Sequence, residues 1–363
     1  MMKKKIAVVF GGKSAEHEVS LNSASNIFNA IDLHQFDAIL LGVDPQGRWQ
    51  YNPEYPTHQV NLPQNDYFAQ AQPVWLDNRE GRAAIISKTN LEILDTFDAA
   101  FSIIHGTNGE DGVMQGFFRS LDIPFVGPDV LGSAVCMDKD VTKRLLRDFH
   151  IPLADSITLF RHEPLSLSFA QVVEKLGLPL FVKPSNAGSS VGVSKVTDEA
   201  GFHKALAEAF KFDHKILIEE AVIGKEVECA VLGNEHPKAS VLGEIIPVKD
   251  FYSYEAKYKD ADGALLNIPA DIDPAVSDQI RQTAVQAFQI ACCEGLARVD
   301  FFLRSDNSFV LNEINTLPGF TEISMYPKMW EATGLAYSDL ITQLVELGMA
   351  RHERDSKLKT NRQ

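Results

Sequence analysis

The chain has 363 residues, 45% apolar and 23% charged. This composition suits a globular protein of roughly two or three domains and excludes disorder as the main state. Lys plus Arg number 34 against 49 Asp plus Glu, a net charge of −15. So acidic a chain is a poor coat for nucleic acid or an anionic membrane, and a polyanion must bind in a small local basic pocket.

The first apolar run, 6–10, is too short for a signal-peptide core and ends at Gly11-Gly12. No stretch approaches the ~20 apolar residues of a membrane span. The cysteines, Cys136, Cys229, Cys292 and Cys293, have no metal-ligand spacing and lie in apolar surroundings. They read as reduced core thiols, as in a cytoplasmic protein.

Residues 5–10 form a β-branched run that suits a parallel strand buried on both faces. The spacing of Leu21, Ala24, Ile27, Phe28 and Ile31 predicts a helix over 20–31, and 38–43 reads as the next strand. Further strands are expected at 99–104 and 124–126, with a helix at 114–120 between them. The segment 45–88 carries several prolines and no clean period, and reads as an irregular insertion with one strand at 74–76. Helices follow at 142–149 and 169–176, the latter closed by Gly177. Strands at 180–183 and 191–196 flank a Gly/Ser-rich link. A helix at 199–210 and a strand at 215–220 come next. Strands are then expected at 226–233 and 238–247, a loop at 250–263 and a helix over 276–295. Strands at 297–303 and 309–315, helices near 328–333 and 340–349, and a frayed tail after 351 complete the reading. The opening is therefore parallel α/β and the remainder α+β.

Three short patterns are discounted. Gly12-Lys13-Ser14 lacks the earlier glycine of a phosphate loop, because position 7 is Ala. Gly188–Gly192 fits a nucleophile elbow in letters, but a strand-like run follows where that elbow needs a helix. The run 106–112 lacks dinucleotide spacing. The link 184–190 reads either as an anion cradle beside Lys183 or as an ordinary flexible hairpin.

The densest constellation lies in the last two strands. Residues 298 and 300 share one face by the period of two, as do 313 and 315. If the hairpin pairs as written, Arg298, Asp300, Glu313 and Asn315 converge. Two carboxylates and an amide oxygen suit Mg²⁺, and the Arg suits a phosphate or a developing oxyanion. The alternation fails at Phe302 and Asn312, so the face assignment is imperfect there. Glu219-Glu220, with Glu226 nearby, reads as an edge for adenine and ribose or as exposed strand-end charge. Glu16 sits near a helix start, where a carboxylate is favoured. His105 ends a buried strand, where α/β sheets place ligands, although a lone histidine is more often structural.

The strings FGGKSAEHEVSLNS, HGTNGEDG, MDKDVTKRLL, FVKPSNAGSSVGVSKV, FYSYEAKY, ARVDFFL and NEINTLPGFTEISMYP resemble D-alanine–D-alanine ligases of the ATP-grasp superfamily. The resemblance runs in order over nearly the whole chain. It implies an ATP-grasp fold, α/β and α+β, with a Rossmann-like N-terminal domain (1–125). A central subdomain (126–222), a C-terminal subdomain (223–350) with a catalytic lid loop (248–263), and a tail (351–363) follow. It implies ATP-dependent joining of two D-alanine molecules for peptidoglycan through a D-alanyl phosphate, with two Mg²⁺ or Mn²⁺ ions, in the cytoplasm and as a homodimer.

By residue, Lys139 and Lys183 match phosphate-binding lysines. Glu219, Val222 and Glu226 match the nucleotide-binding stretch, with Glu220, Ser189, Ser190 and Asn312 expected beside the ATP, and Lys257 matches a lysine that reaches the phosphates. Asp300, Glu313 and Asn315 match the metal ligands. Arg298 and the Gly319 N–H match the oxyanion stabilisers. Glu16 matches the carboxylate holding the first D-alanine's ammonium, with His105 close by. Ser189 and Tyr258 match partners linking Glu16 to the lid. Ser324 and Met325 match positions near the second D-alanine's carboxylate. Many relatives carry Lys where this chain has Glu220. Depsipeptide-forming relatives tend to carry His where this chain has Tyr258, so Tyr favours the dipeptide.

Overall fold

The computed structural model describes residues 3–55, 59–64, 66–163, 166–247, 264–321 and 323–359. The expected lid loop, with Lys257 and Tyr258, lies outside the described residues.

Strand β1 (Lys4–Gly11) pairs in parallel with β2 (Phe36–Val43) on one side and with β7 (Ala99–Ser102) on the other. Residues 6–10 of β1 are completely buried, as an apolar run covered on both faces requires. Helix α1 (His17–Ala30) crosses between β1 and β2. The Ser20 hydroxyl pins it to the sheet, accepting from the Gly11 N–H and donating to the Ile103 carbonyl.

The 45–88 region corrects the sequence reading. It holds β3 (Trp49–Tyr51), β4 (Gln72–Arg79) and β5 (Arg82–Ser87), and with β6 (Ile93–Phe97) these extend the sheet in the order β6-β5-β4-β3-β2-β1-β7. The turn between β4 and β5 places Glu80 and Gly81 at φ 55° and 79°. That is the positive-φ pair of a two-residue hairpin, written here as Glu-Gly instead of the usual Asn-Gly. Alternation is weak because the middle of β5 is apolar without a break, with Ala83–Ile86 all buried. The expected strand at 124–126 is a single parallel bridge, Ala100 to Phe125.

Helix α2 (Val113–Ser120) is followed by α3 (Val130–Met137), which the sequence reading did not anticipate, and by α4 (Lys139–Asp148). Asp138 caps α4 through the Val141 N–H and pairs with Lys215, which fixes where Lys139 leaves the helix start. A second sheet has the order β10-β9-β11-β8: β10 (Ser194–Val196), β9 (Leu180–Pro184), β11 (Lys215–Glu220) and β8 (Ser156–Phe160). Helices α5 (Phe169–Leu176) and α6 (Glu199–Ala209) bury Val172 and Phe202 against Leu180, Val182 and Ile216. Strand β10 is shorter than expected because 188–193 is turn.

The third sheet is antiparallel, in the order β14-β13-β12-β15-β16. Its strands are β12 (Lys225–Gly233), β13 (Lys238–Pro247), β14 (Ala264–Asn267), β15 (Gly295–Leu303) and β16 (Phe309–Asn315). Helix α7 (Pro274–Ile290) covers one face, packing Ile280 and Phe288 with Cys229, Val299 and Phe301. Helices α8 (Met325–Ala332) and α9 (Tyr337–Ser356) cover the other. There Tyr326, Leu340 and Leu344 share one core with Ala230 of β12 and with Ile6, Val8 and Phe101 of the first sheet. The N-terminal and C-terminal sheets therefore share apolar packing.

The frayed tail expected after 351 is helical as far as Ser356. Within the same helix Arg351 is buried and donates to the carbonyls of Gly127 and Phe125. Cys136, Cys229 and Cys293 are buried as expected, but Cys292 is exposed. Among the described residues no helix is long and apolar enough to cross a membrane.

Candidate active site

The second and third sheets enclose a cleft of about 390 Å³. Strand β11 delivers Glu219 to its floor, almost fully buried, with one carboxylate oxygen on Lys143 of α4 and the other on Lys183 of β9. Leu217 pairs with Lys183 in the ladder, so Lys183 and Glu219 lie on one face as diagonal neighbours. Burial alone would raise the Glu219 carboxyl, yet the two ammonium groups hold it below its ordinary value. Glu220 points the other way, accepting from the Asp155 N–H at 3.1 Å and lying 3.5 Å from Arg304. The Glu220 carboxylate is thus balanced by a cation of this chain. Val222, Glu226, Ser190 and Asn312 also line the cleft.

Lys139 donates to the Ala187 carbonyl at 2.6 Å and stands 3.9 Å from Glu313. Burial lowers its pKa and Glu313 offsets part of that. A cation held between a Gly/Ser-rich turn and a carboxylate is placed to meet a phosphate chain.

The β15–β16 hairpin pairs as the sequence reading required. Arg298 faces Asn315 and Asp300 faces Glu313 across the ladder. A register shift follows Asp300, after which Phe301 faces Leu311 and Asn312 is the extra residue. This bulge explains the broken alternation at Phe302 and Asn312. Arg298 grips Asp300 in bidentate fashion at 2.8 and 2.7 Å, and Asn315 donates to Asp300 at 2.9 Å. Burial would depress the Arg298 pKa, but Asp300 and Glu228 keep the guanidinium firmly charged.

Among the described residues no three His, Cys, Asp or Glu side chains form a closed metal cage. Mg²⁺ is usually held by one or two carboxylates, with waters and substrate phosphates completing its shell. Asp300 and Glu313, directly opposed in the ladder beside the Asn315 amide, fit that open kind of site.

At the mouth of the cleft, Ser189 hydrogen-bonds to a Glu16 carboxylate oxygen. Gly106 sits against the same carboxylate at φ 74°, and a Cβ there would lie 2.5 Å from Glu16 Oε2. His105 is buried, its Nε2 3.1 Å from Ser23 Oγ and its Nδ1 3.2 Å from the Leu317 carbonyl. It thereby ties the first sheet to the loop that carries Gly319. A Cβ on Gly319 would come within 2.8 Å of Ser324 Oγ, which accepts from the Thr321 N–H. Met325, at the start of α8, is a core side chain packed beside Gly243 and is not among the residues that line the cleft. Lys257 and Tyr258 are outside the described residues.

The sequence reading missed Lys143 and Glu228. Lys143 is one helical turn from Lys139, on the same face of α4. Glu228 follows Glu226 by two on a strand and shares its face.

An inter-sheet cleft lined by Lys139 and Lys183 and by the opposed carboxylates Asp300 and Glu313, with the Glu16 carboxylate at its mouth, suits a ligase of the ATP-grasp class. Family models described as D-ala D-ala ligase N-terminus and C-terminus match residues 5–128 and 145–346. The chain is 53% identical to D-alanine–D-alanine ligase A of Escherichia coli K12, over 99% of this chain and 100% of that protein. It is 52% identical to D-alanine–D-alanine ligase of Shouchella clausii, over 99% of both. Solved structures similar to it include the D-alanine–D-alanine ligase from Coxiella burnetii, with TM-score 0.85, 38% identity and coverage of 98% of this chain and 97% of that one. Another is the VanG D-Ala:D-Ser ligase from Enterococcus faecalis, with TM-score 0.85, 36% identity and coverage of 96% and 100%. The chain belongs to the D-alanine–D-alanine ligase family. It is an ATP-dependent ligase, and the family uses ATP as substrate with Mg²⁺ or Mn²⁺ as cofactor.

Proposed function

We propose that this protein converts two D-alanine molecules and ATP to D-alanyl-D-alanine, ADP and phosphate, for peptidoglycan synthesis. The observation that carries the reading is that Asp300 and Glu313, opposed in the ladder that also pairs Arg298 with Asn315, line the same cleft as Lys139 and Lys183, with Lys139 3.9 Å from Glu313.

A carboxylate is a poor acyl donor, so one oxygen of the first D-alanine attacks the γ-phosphorus and ADP leaves. Phosphoryl transfer needs positioning and charge neutralisation more than covalent help. Lys139 and Lys183 bind the phosphates, while Val222, Glu226 and the 219–220 strand end hold the nucleoside. Asp300, Glu313 and Asn315 would hold two divalent cations, which supply charge neutralisation at the transferring group. Glu16, oriented by Ser189 and flanked by His105, holds the first substrate's ammonium. The amine of the second D-alanine, set by Ser324 and the backbone at Met325, attacks the acyl carbon and phosphate departs. Arg298 and the Gly319 N–H stabilise the tetrahedral oxyanion.

In this reading the chain divides at about 125 and 222, and the last unit extends through α9. Residues 248–263, with Lys257 and Tyr258, serve as the lid. The protein works as a homodimer in the cytoplasm.

A D-serine acceptor is the second reading, favoured by the likeness to the VanG ligase but at lower identity than the D-alanine ligases. Phosphate release from ATP with D-alanine, L-alanine, D-lactate or D-serine tests both, with products identified by mass. D-Alanine alone should support turnover and give the dipeptide, with little depsipeptide. No D-alanine-dependent phosphate release, or a dominant mixed product when acceptors compete, overturns the assignment.

A further inference from the structure

Glu228 is a buried carboxylate that the reaction scheme leaves unused. It stands directly opposite Asp300 in the β12–β15 ladder, and Asp300 stands directly opposite Glu313 in the next. Three carboxylates thus form one row across three strands. In the next row on the same face, Arg298 lies between Ala230 and Asn315. Alanine leaves the β12 side open, and the Arg298 Nε reaches Glu228 Oε2 at 2.9 Å.

Asp300 has two duties. Here its oxygens accept from Arg298 and from Asn315. In the proposed function the same carboxylate belongs to the set that would hold a cation. Both partners draw on the same few lone pairs, so a carboxylate shared with a cation holds a guanidinium less firmly. Arg298 must nevertheless stay fixed, because oxyanion stabilisation depends on donors set in place beforehand. Glu228 approaches from β12, on the side of β15 opposite to β16 and Glu313, two strand spacings or about 10 Å from β16. Its hold on Arg298 does not compete with the cation.

We propose that Glu228 is a positioning residue. It retains Arg298 in its catalytic orientation and so releases Asp300 for the divalent cation. This inference rests on the ligase reading for its purpose, but its test does not require turnover.

The test titrates Mn²⁺ in the presence of ADP, following free Mn²⁺ by its magnetic resonance signal. The proteins are wild type, Glu228→Gln, Arg298→Ala and the double variant, with Glu228→Asp as a conservative control. Without Glu228's charge, Arg298 clamps Asp300 harder and competes with the cation. Mn²⁺ affinity should fall about fivefold in Glu228→Gln, a size expected for contacting groups in one ion-pair network. Glu228→Asp should recover part of it, and the Arg298→Ala background should show no further fall. An equal loss in both backgrounds means that Glu228 acts on the cation itself, and no loss in either means that it does not tune the site. Both results overturn the proposal. A wild type that binds Mn²⁺ and ADP but releases no phosphate with D-alanine defeats the ligase reading and leaves this titration decisive for Glu228. In an active wild type, Glu228→Gln should lower kcat about tenfold with the KM for ATP within about twofold, the split expected when an interaction of the transition state alone is lost.

Discussion

Ser189 donates its hydroxyl to the carboxylate of Glu16, 173 residues earlier in the chain. The two come from different sheets: Glu16 opens α1 below the first, and Ser189 lies in the turn beyond β9 of the second. In the proposed function a substrate ammonium on Glu16 would sit against the turn whose Ala187 carbonyl also fixes Lys139. Amino-acid binding and phosphate binding would then meet at one short segment.

That segment is conformationally demanding. Ser189 and Ser190 adopt φ of 51° and 60°, where β-branched residues are outliers. Ser189→Ala and Ser189→Gly should each cost about tenfold to a hundredfold in kcat/KM for D-alanine, as for loss of a hydrogen bond to a charged group. Ser189→Thr keeps the hydroxyl but should not restore activity. Steady-state kinetics at saturating ATP check this, and an active Ser189→Thr variant would refute the strain argument.

Removal of divalent cations with EDTA should abolish turnover, and Mg²⁺ or Mn²⁺ should restore it. Glu313→Gln should lose at least about a hundredfold in activity with its thermal midpoint near wild type, because the variant removes a proposed cation ligand while keeping the fold. Wild-type activity in that variant, measured by phosphate release, would remove Glu313 from the cation set.

The Lys143–Glu219–Lys183 cluster makes a prediction about pH. A carboxyl held below its ordinary value of 4.5 adds stability above that pH and loses it as pH falls through the lowered value. Glu219→Gln should therefore cost about 3–5 kcal/mol near pH 7, the range for breaking a buried ion pair. The gap to wild type should shrink below about pH 4.5, where the unfolded carboxyl gains its proton. Lys143 is already held below its ordinary value by burial, and losing Glu219 removes the charge that offsets this. The variant should regain stability as pH rises toward 9, because its folded state then sheds a proton that the unfolded chain keeps. Denaturant titrations from pH 4 to 9 decide it, and a gap independent of pH would argue against a charge effect.

How much of this was legible follows from range of interaction. The period of two placed Arg298, Asp300, Glu313 and Asn315 on one face because a hairpin joins their strands by a short turn, and the ladder agrees residue for residue. The bulge at Asn312 was visible only as broken alternation. The antiparallel strands of 49–87 were hidden because small and apolar residues fill β5 without alternating and its turn uses Glu-Gly. Lys143 and Glu228 went unremarked because their partners, Glu219 and Arg298, are set by sheet order, which no local period encodes.

The chain end shows the same limit and gives the last prediction. The charged run after 351 reads as a frayed tail, yet α9 runs on to Ser356, and Arg351 within it sets its fork on the carbonyls of Gly127 and Phe125. Its guanidinium carbon is 4.3 Å from the Phe125 ring centroid. Burial pulls its pKa down, but an arginine stays charged at any working pH. The site is thus a buried cation satisfied by backbone dipoles and a ring face instead of a carboxylate. It clamps the end of the chain onto the segment that leads from the first sheet into α3. Arg351→Met would leave two buried carbonyls without a donor and remove the ring contact, at about 3–5 kcal/mol. Arg351→Lys keeps the charge but lacks the planar fork, so it should recover less than half of that loss. A chain ending at Ala350 should fall in thermal midpoint like Arg351→Met, while one ending at Lys357 keeps the clamp and should melt close to wild type. Equal midpoints for all of these chains would show that the C-terminus is the loose tail its composition suggests.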